Sequence, residues 1–180
     1  MPKVNEIKEE INIPSGVEVL LEGMTVHFKG ERGSLSKTLS HPKIDLNVKD
    51  NIVKISCSSS PKREEKALIG TFAAHIRNMI KGVTEGFEYK MKTVYSHFPI
   101  KTSVEGNEFI IQNFLGERSP RKAKILESVN VEVKGDNVTV SGADKEKVGQ
   151  TAANIERATR VKHRDIRVFQ DGVYIVSKGC

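Results

Sequence analysis

Tryptophan is missing from this sequence, aromatic residues make up only 6% of it, and cysteine occurs twice. Small cores of Val, Ile, Leu and Ala are therefore expected. The scarcity of aromatics also argues against stacking of single-stranded bases as a main mode of binding. Cys57 and the terminal Cys180 are too few for a disulfide framework in a chain of 180 residues, so both are read as reduced thiols in a reducing cytosol. No apolar run reaches the ~20 residues of a membrane helix. The opening "MPKVNEIKEEINIP" has no apolar signal core, so neither membrane nor export is expected.

Catalytic signatures are absent too. There is no G-x-x-x-x-G-K-[ST] phosphate loop and no G-x-S-x-G elbow. His27, His41, His75, His97 and His163 are scattered without an H-x-x-x-H pair, and Cys57 has no partner at zinc spacing, so no metal or cofactor is expected. Cys57 follows a strand pattern in a Ser-rich loop with nothing nearby to depress its pKa, and reads as a bystander thiol. An enzyme is not expected.

What the sequence does contain is a repeat. "IGTFAAHI" begins at Ile69 and "VGQTAANI" at Val148, with matches at Gly70/Gly149, Ala73/Ala152, Ala74/Ala153 and Ile76/Ile155. The similarity extends upstream. "IDLNV" and "DNIVKIS" precede the first copy, and "VNVEV" and "DNVTVS" the second. Each copy reads strand, tight turn, strand, loop, helix. The first copy carries an inserted "CSSSPKREE" in its loop, where insertions cost least. Two similar domains are expected, residues 1–84 and 85–180, divided within "KGVTEG" with Gly82 as the helix C-cap. The expected fold class is α+β: two tandem domains, each an antiparallel β-sheet packed against one main α-helix.

Further strand patterns agree with this plan. "VEVLLEGMTVHFKG" reads as a hairpin turning at Glu22-Gly23, followed by "SLSKTLS". In the second half come "FEYKMKTVY", "FPIKTSV" and "EFIIQNFL", and after the helix "IRVF" and "VYIV" read as a closing hairpin. The first helix is expected to start with Ser60 at the N-cap and Pro61 at N1, and to bury Ile69, Phe72, Ala73, Ile76 and Ile80. The second, capped by Asp144, buries Val148, Ala152, Ile155 and Thr159. The matched Ala and Gly positions suggest a close approach to the sheet.

The charge pattern separates the copies. The net charge of +6 suggests an anionic partner, with nucleic acid first. On its outer face the second helix carries Lys147, Gln150, Asn154 and Arg157, where the first has Leu68, Thr71, His75 and Asn78. Lys and Arg neutralise phosphates, and Gln and Asn can bond phosphate oxygens, sugars or base edges. "GERSPRKAK" places Arg118, Arg121, Lys122 and Lys124 on a Pro-containing loop, residues 116–124. "ERATRVKHRDIR" adds Arg160, Lys162, His163, Arg164 and Arg167. If the three segments share a face, they form a basic surface for a folded polyanion, and arginine suits bidentate phosphate contacts. The first half is closer to charge balance. Its basic stretch, "HFKGERGSLSK", offers Lys29 and Arg32 around a G-x-x-G that resembles the nucleotide clamp of KH domains. Because this one lies between strands, it reads as a hairpin turn.

Taken together, "GVEVLLEGMTVHFKGERGSLSKTL", "GADKEKVGQTAANIE" and "NFLGERSPRK" resemble the family of large-subunit ribosomal proteins conventionally numbered six, the last segment its archaeal and eukaryotic branch. The resemblance covers nearly the whole chain. It implies a structural protein of the cytoplasmic ribosome that binds large-subunit rRNA near the sarcin–ricin loop and the translation-factor site. Neighbouring ribosomal proteins would be partners and translational GTPases would lie close by. It also implies that the second domain supplies much of the RNA contact, through Arg118, Arg121 and Lys122 and through Lys145 and Lys147 with Gln150 and Asn154. The bacterial branch ends in a Gly- and Lys-rich run that this chain lacks, so Arg160, Lys162, Arg164 and Arg167 rest on charge alone. The alternative from another class is a protein-interaction scaffold with incidental basicity.

Overall fold

A computed structural model describes residues 7–49, 51–57 and 62–179. The chain divides into two units between residues 85 and 86. In the first, six strands precede one helix: β1 (Ile7–Asn12), β2 (Glu18–Glu22), β3 (Thr25–Gly30), β4 (Gly33–Thr38), β5 (Ile44–Lys49), β6 (Ile52–Cys57) and α1 (Arg63–Thr84). They form two antiparallel sheets, ordered β1-β6-β5 and β2-β3-β4. The second unit has β7 (Phe87–Val94), β8 (Lys101–Glu105), β9 (Glu108–Gln112), β10 (Arg121–Lys124), β11 (Val129–Lys134), β12 (Asn137–Gly142), α2 (Lys145–Ala158) and a further strand, β13 (Gly172–Gly179). Its sheets run β11-β12-β7-β13 and β10-β9-β8.

The two plans correspond strand by strand: β7, β12 and β11 are ordered as β1, β6 and β5 are, and β8, β9 and β10 as β2, β3 and β4. The repeat legible in the sequence as a hairpin and a helix therefore spans the whole unit. The fold is α+β with two tandem similar units. Each divides its strands between two small sheets rather than holding them in one.

Alternation builds the sheets. In β7, Phe87, Tyr89, Met91 and Thr93 are buried, and Glu88, Lys90, Lys92 and Val94 are exposed. Periodicity builds the helices. α1 buries Ile69, Phe72, Ala73, Ile76, Ile80 and Val83 against strands of both sheets, and α2 buries Val148, Thr151, Ala152 and Ile155. Each large apolar side chain so buried contributes roughly 1.5–3 kcal/mol. The core of each unit is drawn from its own residues. Cys57 is buried in the first. Among the described residues, no helix is long and apolar enough to cross a membrane.

Several local expectations are corrected. Gly82 does not cap α1; the helix runs on to Thr84, and the residue with positive φ, at 77°, is Gly86. The extension buries Val83 fully, and the Val83 carbonyl accepts a hydrogen bond from the Arg32 N–H at 3.1 Å. Ser60 and Pro61 lie outside the described residues, as does Cys180. The β2–β3 turn is Gly23-Met24, because Glu22 already pairs with Thr25. Gly30 and Gly33 face each other across a hairpin turn, as expected. Residues 166–168 form a turn and not a strand: the Asp165 carboxylate accepts from the Arg167 N–H at 2.9 Å, and the Asp165 carbonyl from the amides of Val168 and Phe169. β13 instead pairs with β7. Residues 121–124 are a strand paired to β9, with Ala123 buried. β1, which no sequence pattern announced, is defined by its pairing with β6. The matched alanines Ala73 and Ala152 are fully buried, but the matched glycines approach nothing closely. Gly70 has open space around it, and Gly149 has only the Tyr89 hydroxyl, at 3.6 Å from an added Cβ.

Candidate nucleic-acid interface

α2 begins where the Asp144 carboxylate accepts a hydrogen bond from the Glu146 N–H at 2.9 Å. Lys145 and Lys147 occupy the first turn, at the positive end of the helix dipole. Cations there disfavour the helix by about 0.3–1 kcal/mol each, and they add to the dipole in attracting an anion. The Lys145 ammonium lies 5.5 Å from the centroid of the Phe87 ring.

The outer face of α2 meets β10. Asn154 donates from Nδ2 to the Lys124 carbonyl at 3.1 Å, and its Oδ1 accepts from Gln150 Nε2 at 2.8 Å. The Thr151 hydroxyl accepts from the Leu126 N–H at 3.3 Å. The two amides expected to face a ligand thus bind helix to strand. Lys124, exposed on β10, has its ammonium outside these bonds. Lys122, its neighbour on the same side of the strand, is paired with Glu108 at 2.7 Å, which raises its pKa and keeps it charged.

Arg121 joins the remaining segment. Its Nη1 donates to the carbonyls of Ala158, at 2.9 Å, and Arg160, at 3.0 Å. Nε and Nη2 donate to the two carboxylate oxygens of Glu117, at 2.8 and 2.6 Å. The guanidinium also lies 4.2 Å over the Phe114 ring. The Arg121 hydrogen bonds hold the Glu117 carboxyl below its usual range, and the charge of Arg164 adds to the effect. Four of the five donors of Arg121 are engaged within the chain. It therefore acts as a clasp between the start of β10 with the loop before it, the end of α2 and the segment that follows.

That segment is fixed further along. The buried Thr159 hydroxyl accepts from the Val173 N–H at 3.0 Å. Arg164 stacks 4.8 Å from the Phe169 centroid, and Arg167 forms a double hydrogen bond to Asp165, at 3.1 and 3.0 Å, which lowers the pKa of that carboxyl. His163 is exposed, with φ at 58°.

These contacts bring the three basic segments together on the second unit. Among the described residues, the side chains of Arg118, Lys124, Lys147, Arg157, Arg160 and Lys162 enter no hydrogen bond, ion pair or ring contact. Their charges are unpaired within the described residues. Lys29 and Arg32 belong to the first unit, where Lys29 stands 3.9 Å from Glu18 and Arg32 occupies the β3–β4 turn. Sequence reasoning missed Glu117, Phe114 and Phe169, the supports of the surface. Their roles depend on partners that no spacing announces.

Comparison with known proteins matches the two units separately. The sequence model of the Ribosomal protein L6 family fits residues 13–86 and again residues 98–172. A "Large ribosomal subunit protein uL6" from Methanobrevibacter smithii is 52% identical over 172 residues, covering 96% of each chain. The protein of the same name from Methanothrix thermoacetophila is 51% identical over 97% of this chain and 99% of its own. That from Methanococcus vannielii is 51% identical over 99% and 97%. One family match per unit, with full-length relatives identical at half their positions, means that the chain belongs to the Ribosomal protein L6 family.

Proposed function

We propose that this protein is a structural, non-enzymatic constituent of the large subunit of the cytoplasmic ribosome, and that it binds large-subunit rRNA through the basic surface of its second unit. The observation that carries the binding surface is the joining of β10, α2 and the exit segment by Arg121 and Asn154, which gathers six uncommitted cations. Arg118, Lys124, Lys147, Arg157, Arg160 and Lys162 meet phosphates. Arg121, Lys122, Gln150 and Asn154 hold the surface in shape, and Lys145, His163, Arg164 and Arg167 border it. Lys29 and Arg32 offer a smaller basic contact on the first unit. Neighbouring ribosomal proteins are further partners. In this reading the bound site lies close to where translational GTPases act.

Two measurements test the proposal. Tagged protein from a native lysate should co-sediment with the large subunit until high salt strips it off. Migration only as a light species would overturn the ribosomal reading. Affinity for large-subunit rRNA should fall steeply with salt, the slope of log K against log salt losing about 0.7–0.9 for each phosphate contact removed. Arg118→Ala should remove one such contact without altering thermal stability. An unchanged slope would remove Arg118 from the surface.

A further inference from the structure

The segment leaving α2 encloses, with the last turn of that helix and the start of β13, a cleft of about 470 Å³. Arg157, Arg160 and Glu156 line it, and Ile166, Phe169 and Tyr174 give it apolar walls. Ile166 is 69% exposed and Tyr174 42%. The Tyr174 ring is held in place, because its hydroxyl donates to the Gln170 carbonyl at 3.0 Å. Phe169 is held as well, by Arg164 over its ring. Phe169 lines the cleft and Arg164 does not. Two fixed aromatic surfaces, an exposed aliphatic side chain and two uncommitted arginines suit a flat ligand with negative charge on either side. An unpaired nucleotide has that form: the base stacks on aromatic or guanidinium planes while its phosphates meet cations.

We propose that this cleft seats one unpaired base of rRNA, stacked against Tyr174 and Phe169, with the flanking phosphates on Arg157 and Arg160. The proposal rests on the rRNA-binding reading above and adds a base contact to a surface otherwise made for phosphates. The rival occupant is an apolar side chain of a neighbouring protein. The rim favours the nucleotide, since two arginines outnumber the one carboxylate of Glu156.

The test uses the full-length chain, isotopically labelled, and probes of equal phosphate number: tetraadenylate and its abasic ribose–phosphate counterpart. An acidic peptide bearing leucine is the third probe. Tetraadenylate should bind roughly tenfold tighter than the abasic strand, within the range one stacked base contributes. It should shift the amide signals of residues 166, 169 and 174. Ile166→Ser, at a position too exposed to endanger folding, should weaken tetraadenylate binding several-fold and leave abasic binding unchanged. Equal affinity for the two strands, with the cleft signals unmoved, would overturn the base seat and leave phosphate binding standing. Cleft signals that move with the peptide but not with tetraadenylate would make the cleft a protein seat and also overturn it. Binding of neither strand would overturn the base seat, and the rRNA reading would then stand or fall on co-sedimentation with the large subunit.

Discussion

At the scale of the residue, the same amino acid serves opposite ends at different places. A Cβ at Gly30 would lie 2.7 Å from the Val83 carbonyl oxygen, where backbone must give way. At Gly70 an added Cβ meets nothing on an exposed helix face. Gly30→Ala should therefore destabilise by about 1–3 kcal/mol, as overpacking does. Gly70→Ala should stabilise by about 0.5–1 kcal/mol through helix propensity. Urea unfolding of the two variants checks both signs. The buried Glu65 carboxylate is a second residue-scale case. Lys43 reaches it at 2.8 Å and holds its pKa below the ordinary range, while Oε2 has no partner among the described residues. A depressed carboxyl stabilises the fold above its unfolded pKa of about 4.3 and loses that contribution as the pH falls through the folded value. Lys43→Met should thus lower the melting temperature at neutral pH. The gap from wild type should close on acidification below about pH 4. A gap that stays constant with pH would show that the ion pair is not its source.

At the scale of the element, the basic surface depends on a clasp. β10, the end of α2 and the exit segment are held by one guanidinium and one pair of amides. Glu117 completes the clasp, which gives it a role opposite to the one its charge suggests. A carboxylate beside the proposed RNA surface repels phosphates, so Glu117→Gln would tighten binding if charge alone mattered. Because Glu117 holds Arg121 in place, the substitution should instead weaken rRNA binding several-fold. It should also lower thermal stability by about 1 kcal/mol, a modest cost for a partly exposed pair. Filter binding at two salt concentrations decides the sign.

At the scale of the whole molecule, duplication explains how one chain carries a plain unit and a specialised one. Among the described residues, both units keep the order of six strands and a helix, and the second adds β13 and its basic surface. The hydrophobic core of the second unit comes entirely from residues beyond 86. Residues 86–180 produced alone should therefore fold, with a cooperative thermal transition, and should retain most of the affinity for rRNA. An unfolded fragment, or one that folds without binding, would place part of the interface or of the stability in the first unit.

The class of fold, the duplication, the helix stripes and the family were legible in the residues alone. All of these are written in local periodicities and in matched runs of residues, such as Ala73, Ile76, Ala152 and Ile155, whose burial follows from their spacing alone. The sequence also located the basic segments. Where elements ended was less legible. α1 passes Gly82 because Val83 finds a buried place under Gly30, and residues 166–168 turn because Asp165 caps them. Which cations face outward was decided by the tertiary structure only. Arg118 and Arg121 look alike in "GERSPRK", but Arg121 meets carbonyls 37 and 39 residues away and spends its donors there, while Arg118 keeps its own. A side chain's charge is fixed by its chemistry. Its availability is fixed by whichever distant backbone the fold brings within 3 Å.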